Sequence, residues 1–206
     1  MLRRMDIKDR FRGYLPVILD LETGGFDSEI NPILELACSF VTMHSNQLQI
    51  DSEFCWAVSP FPGAIIESSS LKVTGIDPSD PERNESEEKL AINEFFKLVR
   101  NKIKSQGCTR AIMVAHNASF DQGFIQSACA RCQIKRSPFH PFSTIDTVSL
   151  AAVAYGHTVL SESCGRAGLE FEESKAHGAA YDANRTAELF CKIVNDSNFS
   201  FETNSE

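Results

Sequence analysis

Two short, almost wholly apolar runs, Leu15-Pro16-Val17-Ile18-Leu19 and Ala111-Ile112-Met113-Val114-Ala115, leave this chain few folds to choose from. The first is closed by Gly24-Gly25 and the second feeds Asn117, which suits a helix cap. A brief apolar run bounded by turn residues reads as a buried central strand. Ile33 to Met43, opening after Asn31-Pro32, and Phe54 to Val58 read as further strands. Ile92, Phe95, Phe96, Val99 and Ile103 share one helical face in a segment from Asn84 to Gln106, which Gly107 stops. Helices are predicted from about Ala118 to Gln133, around Asp146–Tyr155 and Thr158–Ala167, and from about Gly178 to Asn195, with a short strand at Phe142–Ile145. Early strands followed by β-α alternation predict an α/β layered fold with a mixed sheet flanked by helices.

At 206 residues, 42% of them hydrophobic, the chain suits one domain over residues 14–195. A basic segment, 1–13, precedes it and a polar tail, 196–206, follows. No signal-peptide core and no apolar run of membrane-spanning length is present, so a soluble cytoplasmic protein without a membrane partner is expected. Seven cysteines, an odd number, are dispersed through apolar segments (Cys38, Cys55, Cys191) and surface-like ones (Cys108, Cys164). That usage fits a reducing compartment. Cys129-x-x-Cys132 lacks a second ligand pair and sits in an Ala-rich helix, so it is read as structural.

Three acidic segments lie far apart: Asp20-Leu21-Glu22-Thr23, Asn117-Ala118-Ser119-Phe120-Asp121 and His177-Gly178-Ala179-Ala180-Tyr181-Asp182. Asp20 and Glu22, two apart on a strand, project from the same face at its C-terminal end, where α/β sheets bind ligands. Two adjacent carboxylates repel and hold protons unless a cation is supplied, and Mg²⁺ favours such oxygens. Asp121 near the start of a helix also satisfies the helix dipole, and Asp182 has Arg185 three residues on as a possible helix partner. His177 and Asp182 are five apart and would not share a face within one helix. Placed in a turn before it, with Gly178 permitting irregular backbone, His177 can reach over the carboxylates and take a proton near neutral pH.

A formal charge of −8 argues against a nucleic-acid partner. Two divalent cations would halve it, and the excess is local: Asp77, Asp80, Glu82, Glu85, Glu87 and Glu88 lie together against Arg83 alone. The basic residues Arg10, Arg12, Arg100, Lys104, Arg110, Arg131, Lys135 and Arg136 fall outside that stretch.

In its three motifs the chain resembles the DEDDh-type 3′–5′ exonucleases of the RNase H-like superfold. The acidic strand, the Asn-to-Phe-Asp segment and His-x4-Asp all match in order. The tyrosine subgroup is excluded, because Gly stands at 178 and Tyr181 does not fit that role. Longer stretches, Arg110 to Asn117, Ser137 to Phe142, Thr74 to Pro78 and Arg10 to Gly13, are similar to the branch that trims tRNA 3′ ends. The resemblance implies that Asp20, Glu22, Asp121 and Asp182 hold two Mg²⁺ ions (Mn²⁺ in their place), with His177 as general base. It implies stacking of terminal bases on Phe26, Phe120 and Phe142, and a homodimer whose basic patch feeds single-stranded RNA 3′ ends, including tRNA, and single-stranded DNA to the active site. Val73 and Ser69 depart from the family, which has a stacking phenylalanine and an acid there that bear on 3′-terminal cytosine. Close alternatives are a DNA proofreading exonuclease or an oligoribonuclease. A non-catalytic nucleic-acid-binding protein is disfavoured by the presence of all four carboxylates.

Overall fold

The computed structural model describes residues 5–197. Tyr14–Thr23 forms β1, Ile33–His44 β2 and Gln47–Ser59 β3, an antiparallel meander. The β2–β3 connection is Ser45-Asn46, both with positive φ, as a tight hairpin turn requires. Then follow α1 (Ser68–Thr74), β4 (Ser86–Glu87), α2 (Glu88–Ser105), β5 (Arg110–Ala115), α3 (Ala118–Arg131), β6 (Phe139–Asp146), α4 (Thr147–Tyr155), α5 (Leu160–Arg166) and α6 (Ala179–Asp196). The strands form one mixed sheet in the order β4-β3-β2-β1-β5-β6. β5 is parallel to both β1 and β6, and β4 is parallel to β3.

The apolar runs at β1 and β5 lie side by side at the centre of the sheet. Leu15, Val17, Ile18, Leu19, Val114 and Ala115 have no accessible surface. On α2 the expected face is the buried one: Ile92, Phe95, Phe96 and Val99 enter the core and Ile103 packs at its margin. Phe95 and Phe96 both meet Phe139 of β6, at 5.7 and 6.1 Å between ring centroids. α6 lies across β1, β2 and β3, where Ala179 and Ala183 rest on Ala37. Small side chains there let the helix approach the sheet closely, and that brings its first turn down to the end of β1.

Several boundaries differ from the sequence reading. β3 starts at Gln47, well before Phe54, because its polar residues Gln47, Gln49, Asp51 and Glu53 face outward along a strand covered on its outer side only at Val58 and Ser59. α2 starts at Glu88, since Ser86-Glu87 pairs with β3 instead. α1 was not foreseen; it buries no residue and so carries no apolar stripe. β6 begins at Phe139, earlier than expected. Cys164 is buried and Cys55 exposed, the reverse of their sequence surroundings. Burial pushes the Cys129 and Cys132 thiols up to about 11, which makes them poor nucleophiles and agrees with a structural role. Ile7 is buried in the main core and Phe11 packs on Phe190, so residues 5–13 are built into the domain. Of the expected polar tail, residues 198–206 lie outside the described residues.

Glu88 at the start of α2 is 6% exposed and accepts two hydrogen bonds from Arg131 at the end of α3, at 2.8 and 3.2 Å. Arg131 also donates to the Ser28 carbonyl and lies 4.0 Å over the Phe61 ring. Replacing Glu88 with Ala would strand a mostly buried guanidinium, and a loss of about 3 kcal/mol is expected in urea denaturation. An unchanged midpoint would show that the pair is not structural.

Candidate active site

Each acidic segment ends at the same place because of where its element runs. Asp20 and Glu22 sit near the C-terminal end of β1, Asp121 in the first turn of α3 after β5, and Asp182 in the first turn of α6. Asp20, Glu22 and Asp182 each bring one carboxylate oxygen within 4.8 Å of the others. Asp121, 4% exposed, lies outside that tight trio, but its charge couples first to Asp20 and then to Glu22.

The electrostatics favour the binding of cations. Burial, and then the charges of Asp182 and Glu35, push Asp20 up to about 8. Burial, and then Asp20, Asp182 and Glu35, push Glu22 up to about 9. Asp121 is raised well above the usual carboxylate range by burial and by Asp20. Asp182 is raised by burial, partly offset by the amide of His177. One oxygen of Asp182, Oδ2, accepts that amide at 3.0 Å, while Oδ1 is buried with no hydrogen-bond partner. A buried carboxylate oxygen without a donor is costly unless a ligand supplies the missing charge. These hard oxygen donors fit a divalent metal.

Glu35 was missed in the sequence. It pairs directly with Glu22 across β1 and β2 and adds a fifth carboxylate beside the cluster. Like charges directly opposite are unfavourable in a sheet. The signal was an acid in the otherwise apolar start of β2, Ile33-Leu34-Glu35-Leu36-Ala37.

His177 lies in the turn before α6, exposed, as the five-residue spacing requires. The irregular backbone is its own, with φ +64°, while Gly178 is extended. Two other local expectations are corrected. Asn117 makes no side-chain cap; the Asp146 carboxylate instead accepts the amides of Asn117 and Ala118 at 3.3 and 3.1 Å and also caps α4 through Val148. Asn117, at φ +76°, supplies the left-handed turn that leads into α3. Arg185 pairs with Glu188 and leaves Asp182 alone. The Tyr181 hydroxyl accepts the Glu172 amide, a structural use.

Beside Glu22 a pocket of about 200 Å³ is lined by Phe26, Phe120, Ser69 and Val73 among others. Phe26 is 82% exposed and meets Phe120 edge-on at 6.2 Å. Phe120 in turn packs on the buried Phe124, so it serves core and pocket together. Phe142 is also exposed, standing edge-on to His140, and does not line this pocket. Several of the basic residues are held by local partners. Arg131 is held by Glu88, and Arg100 donates to the carbonyl of Arg136. Arg10 binds the end of α6 through Val194 and Ser197. Lys104 lies near the end of α2, and Lys135 follows α3. Arg12 lies over Tyr14, and Arg110 pairs with Tyr14 at the opposite end of β1 from the carboxylates.

Acids gathered beside the end of β1 on a mixed sheet fit divalent-metal binding, and the class of protein follows from the family match: the exonucleases. A family model described as RNase_T exonuclease matches residues 17–190, and the chain belongs to that family. It is therefore an exonuclease, a hydrolase of phosphodiester bonds. The particular relatives are proteins named Ribonuclease T. That of Hahella chejuensis is 51% identical over 187 residues, covering 90% of this chain and 86% of the relative. That of Shewanella oneidensis is 50% identical over 190 residues, covering 92% and 86%. Among solved structures, E. coli exonuclease I bound to a dT13 oligonucleotide is similar in fold, with a TM-score of 0.68 at 16% identity, over 89% of this chain and 41% of that one. A 3′-exonuclease that recognises a histone mRNA stem-loop gives 0.70 at 16%, over 88% and 64%.

The raised carboxylates set a sign for pH. Without metal, Asp20 and Glu22 contribute stability that is fully present below their unfolded values, near 4, and lost as pH rises through about 8 to 9. A divalent cation reverses this by favouring the ionised form. Thermal melts with EDTA and with Mg²⁺ are expected to diverge as pH rises from 6 to 9, with the metal gain largest at high pH. A gain independent of pH would mean that these acids do not bind the ion.

Proposed function

We propose that this chain is a 3′–5′ exoribonuclease that trims single-stranded 3′ ends of tRNA and other stable RNAs, digests single-stranded DNA as well, and releases 5′-mononucleotides. The observation that carries the reading is the convergence of Asp20, Glu22 and Asp182, with an unpaired buried oxygen, and of Asp121 coupled to Asp20. Two Mg²⁺ ions, or Mn²⁺ in their place, would be held by these four acids and would stabilise charge on the phosphate and the leaving 3′ oxygen. His177 accepts the proton of the attacking water at its ring. The water oxygen bonds to phosphorus, the P–O3′ bond breaks, and the leaving O3′ takes a proton from solvent to become the 3′ hydroxyl of the penultimate nucleotide.

The pocket beside Glu22 takes the terminal base against the Phe26 and Phe120 rings, for about 1–3 kcal/mol per base regardless of sequence. Val73 and Ser69 in its wall stand where the resemblance implies an aromatic and an acid that bear on a 3′-terminal cytosine, so that base preference is not carried over to this chain. Phe142 serves an upstream base. Arg110, opposite Tyr14 at the start of β1, lies about 26 Å along the strand direction from Glu22, at ~3.3 Å per residue. That separation supports a homodimer, in which the basic end of one subunit holds RNA whose 3′ end enters the partner's site. Among the described residues no helix is long and apolar enough to cross a membrane, which fits the cytoplasmic location proposed.

His177→Ala is expected to lower kcat by about 10²-fold or more, with Asp20→Asn abolishing hydrolysis while nucleic-acid binding persists. Turnover by His177→Ala equal to the parent across neutral pH would remove the imidazole from the mechanism. Timed digestion of oligonucleotides that differ only in sugar and final base checks the substrate. Steady trimming of tRNA 3′ ends is expected, whereas activity confined to dinucleotides would favour an oligoribonuclease.

A further inference from the structure

The pocket beside Glu22 has two walls from separate parts of the chain: the loop after β1, which carries Phe26, and α1, which carries Ser69 and Val73. The loop contains Gly24 and Gly25, and α1 buries no residue of its own. What joins them is Asn31, whose side chain has no accessible surface. Its Oδ1 accepts the Asp27 amide at 2.8 Å, which closes the loop on itself. Its Nδ2 donates to the Ile65 carbonyl at 2.8 Å, which ties the loop to the segment before α1.

Backbone bonds reinforce the same seam: Ile65 donates to the Ile30 carbonyl and Glu67 to the Gly24 carbonyl. The fit is tight. A Cβ on Gly25 would fall 2.4 Å from the Asn31 amide group, so the glycine preceding Phe26 is shaped to that side chain. Ser28, bonded to Ser127 of α3, anchors the far side of the loop.

We propose that Asn31 is a positioning residue for substrate specificity. By bridging Asp27 and Ile65 it fixes the gap between Phe26 and α1, and hence the width of the slot offered to a terminal base. This rests on the reading that the slot takes that base. The residue touches no reacting atom and is separated from the acids by the two walls it joins. Loss of the bridge therefore affects binding rather than the bond-breaking step. Asparagine suits the place because one planar group supplies an acceptor and a donor at once. Asp keeps the acceptor for the Asp27 amide but lacks the amide donor to Ile65, and Ala lacks both.

The test uses Asn31→Ala, Asn31→Asp and Phe26→Ala with two substrates: a single-stranded oligonucleotide, and bis(p-nitrophenyl) phosphate, a diester without a base. For both Asn31 variants KM for the oligonucleotide is expected to rise about tenfold, with kcat within about twofold and hydrolysis of the base-free diester unchanged. Equal losses on both substrates, or loss of folding in both variants, would assign Asn31 to general stability and overturn the proposal. Unchanged oligonucleotide KM in folded Asn31 variants would also overturn it, provided that Phe26→Ala raises that KM. If Phe26→Ala leaves KM unchanged too, the slot does not hold the terminal base, and the reading beneath the proposal fails with it.

Discussion

The crowding of like charges at the end of the most deeply buried strand is the constraint on which the rest of the structure depends. β1 has to be apolar enough to form the centre of the sheet and yet deliver Asp20 and Glu22 at its end. Desolvation is the largest cause of the shift at every one of the four acids. Such a cluster has two comfortable states, protonated or metal-filled. Near neutral pH burial favours the first, and a bound cation would favour the second.

The surrounding elements can be read as solutions to that problem. Small residues on Ala37, Ala179 and Ala183 let α6 descend far enough for Asp182 to meet β1. Asp146 holds the amides at the start of α3, which keeps the buried Asp121 pointed at the same place. Arg131, although basic, is used in joining α2 to α3 through Glu88. The cations left for a polyanion lie near the start of β1 and β5, away from the acids that they would otherwise neutralise. Acidic and basic groups thus stand at opposite ends of the β1–β5 pair.

Much of this was legible in the sequence because strong local signals coincide with global ones. The apolar runs of β1 and β5, the Phe95-Phe96 face of α2 and the position of His177 before α6 were all readable from spacing. The failures have physical reasons. β3 alternates polar and apolar residues on a strand with little outer cover, so its first half resembles a loop. α1 buries no side chain and is held by its neighbours. The role of Asp146 lay in contacts between helices, which no one-dimensional pattern carries. Glu35 was hidden because its partner Glu22 is adjacent only through strand pairing, and Asn31 because a single buried asparagine has no sequence signature.

His177 combines two demands that pull apart. Its amide must reach back to the Asp182 carboxylate, which requires φ +64°, a conformation that costs an L-residue about 1–2 kcal/mol. Glycine would relieve that torsional stress and leave the backbone bond intact, but it has no imidazole. The position therefore sets torsional comfort against the side chain it carries: under the proposed mechanism, in which His177 is the base, a chain optimised for rigidity alone would take glycine here, and the strain in this turn is what the fold accepts to keep an imidazole next to Asp182.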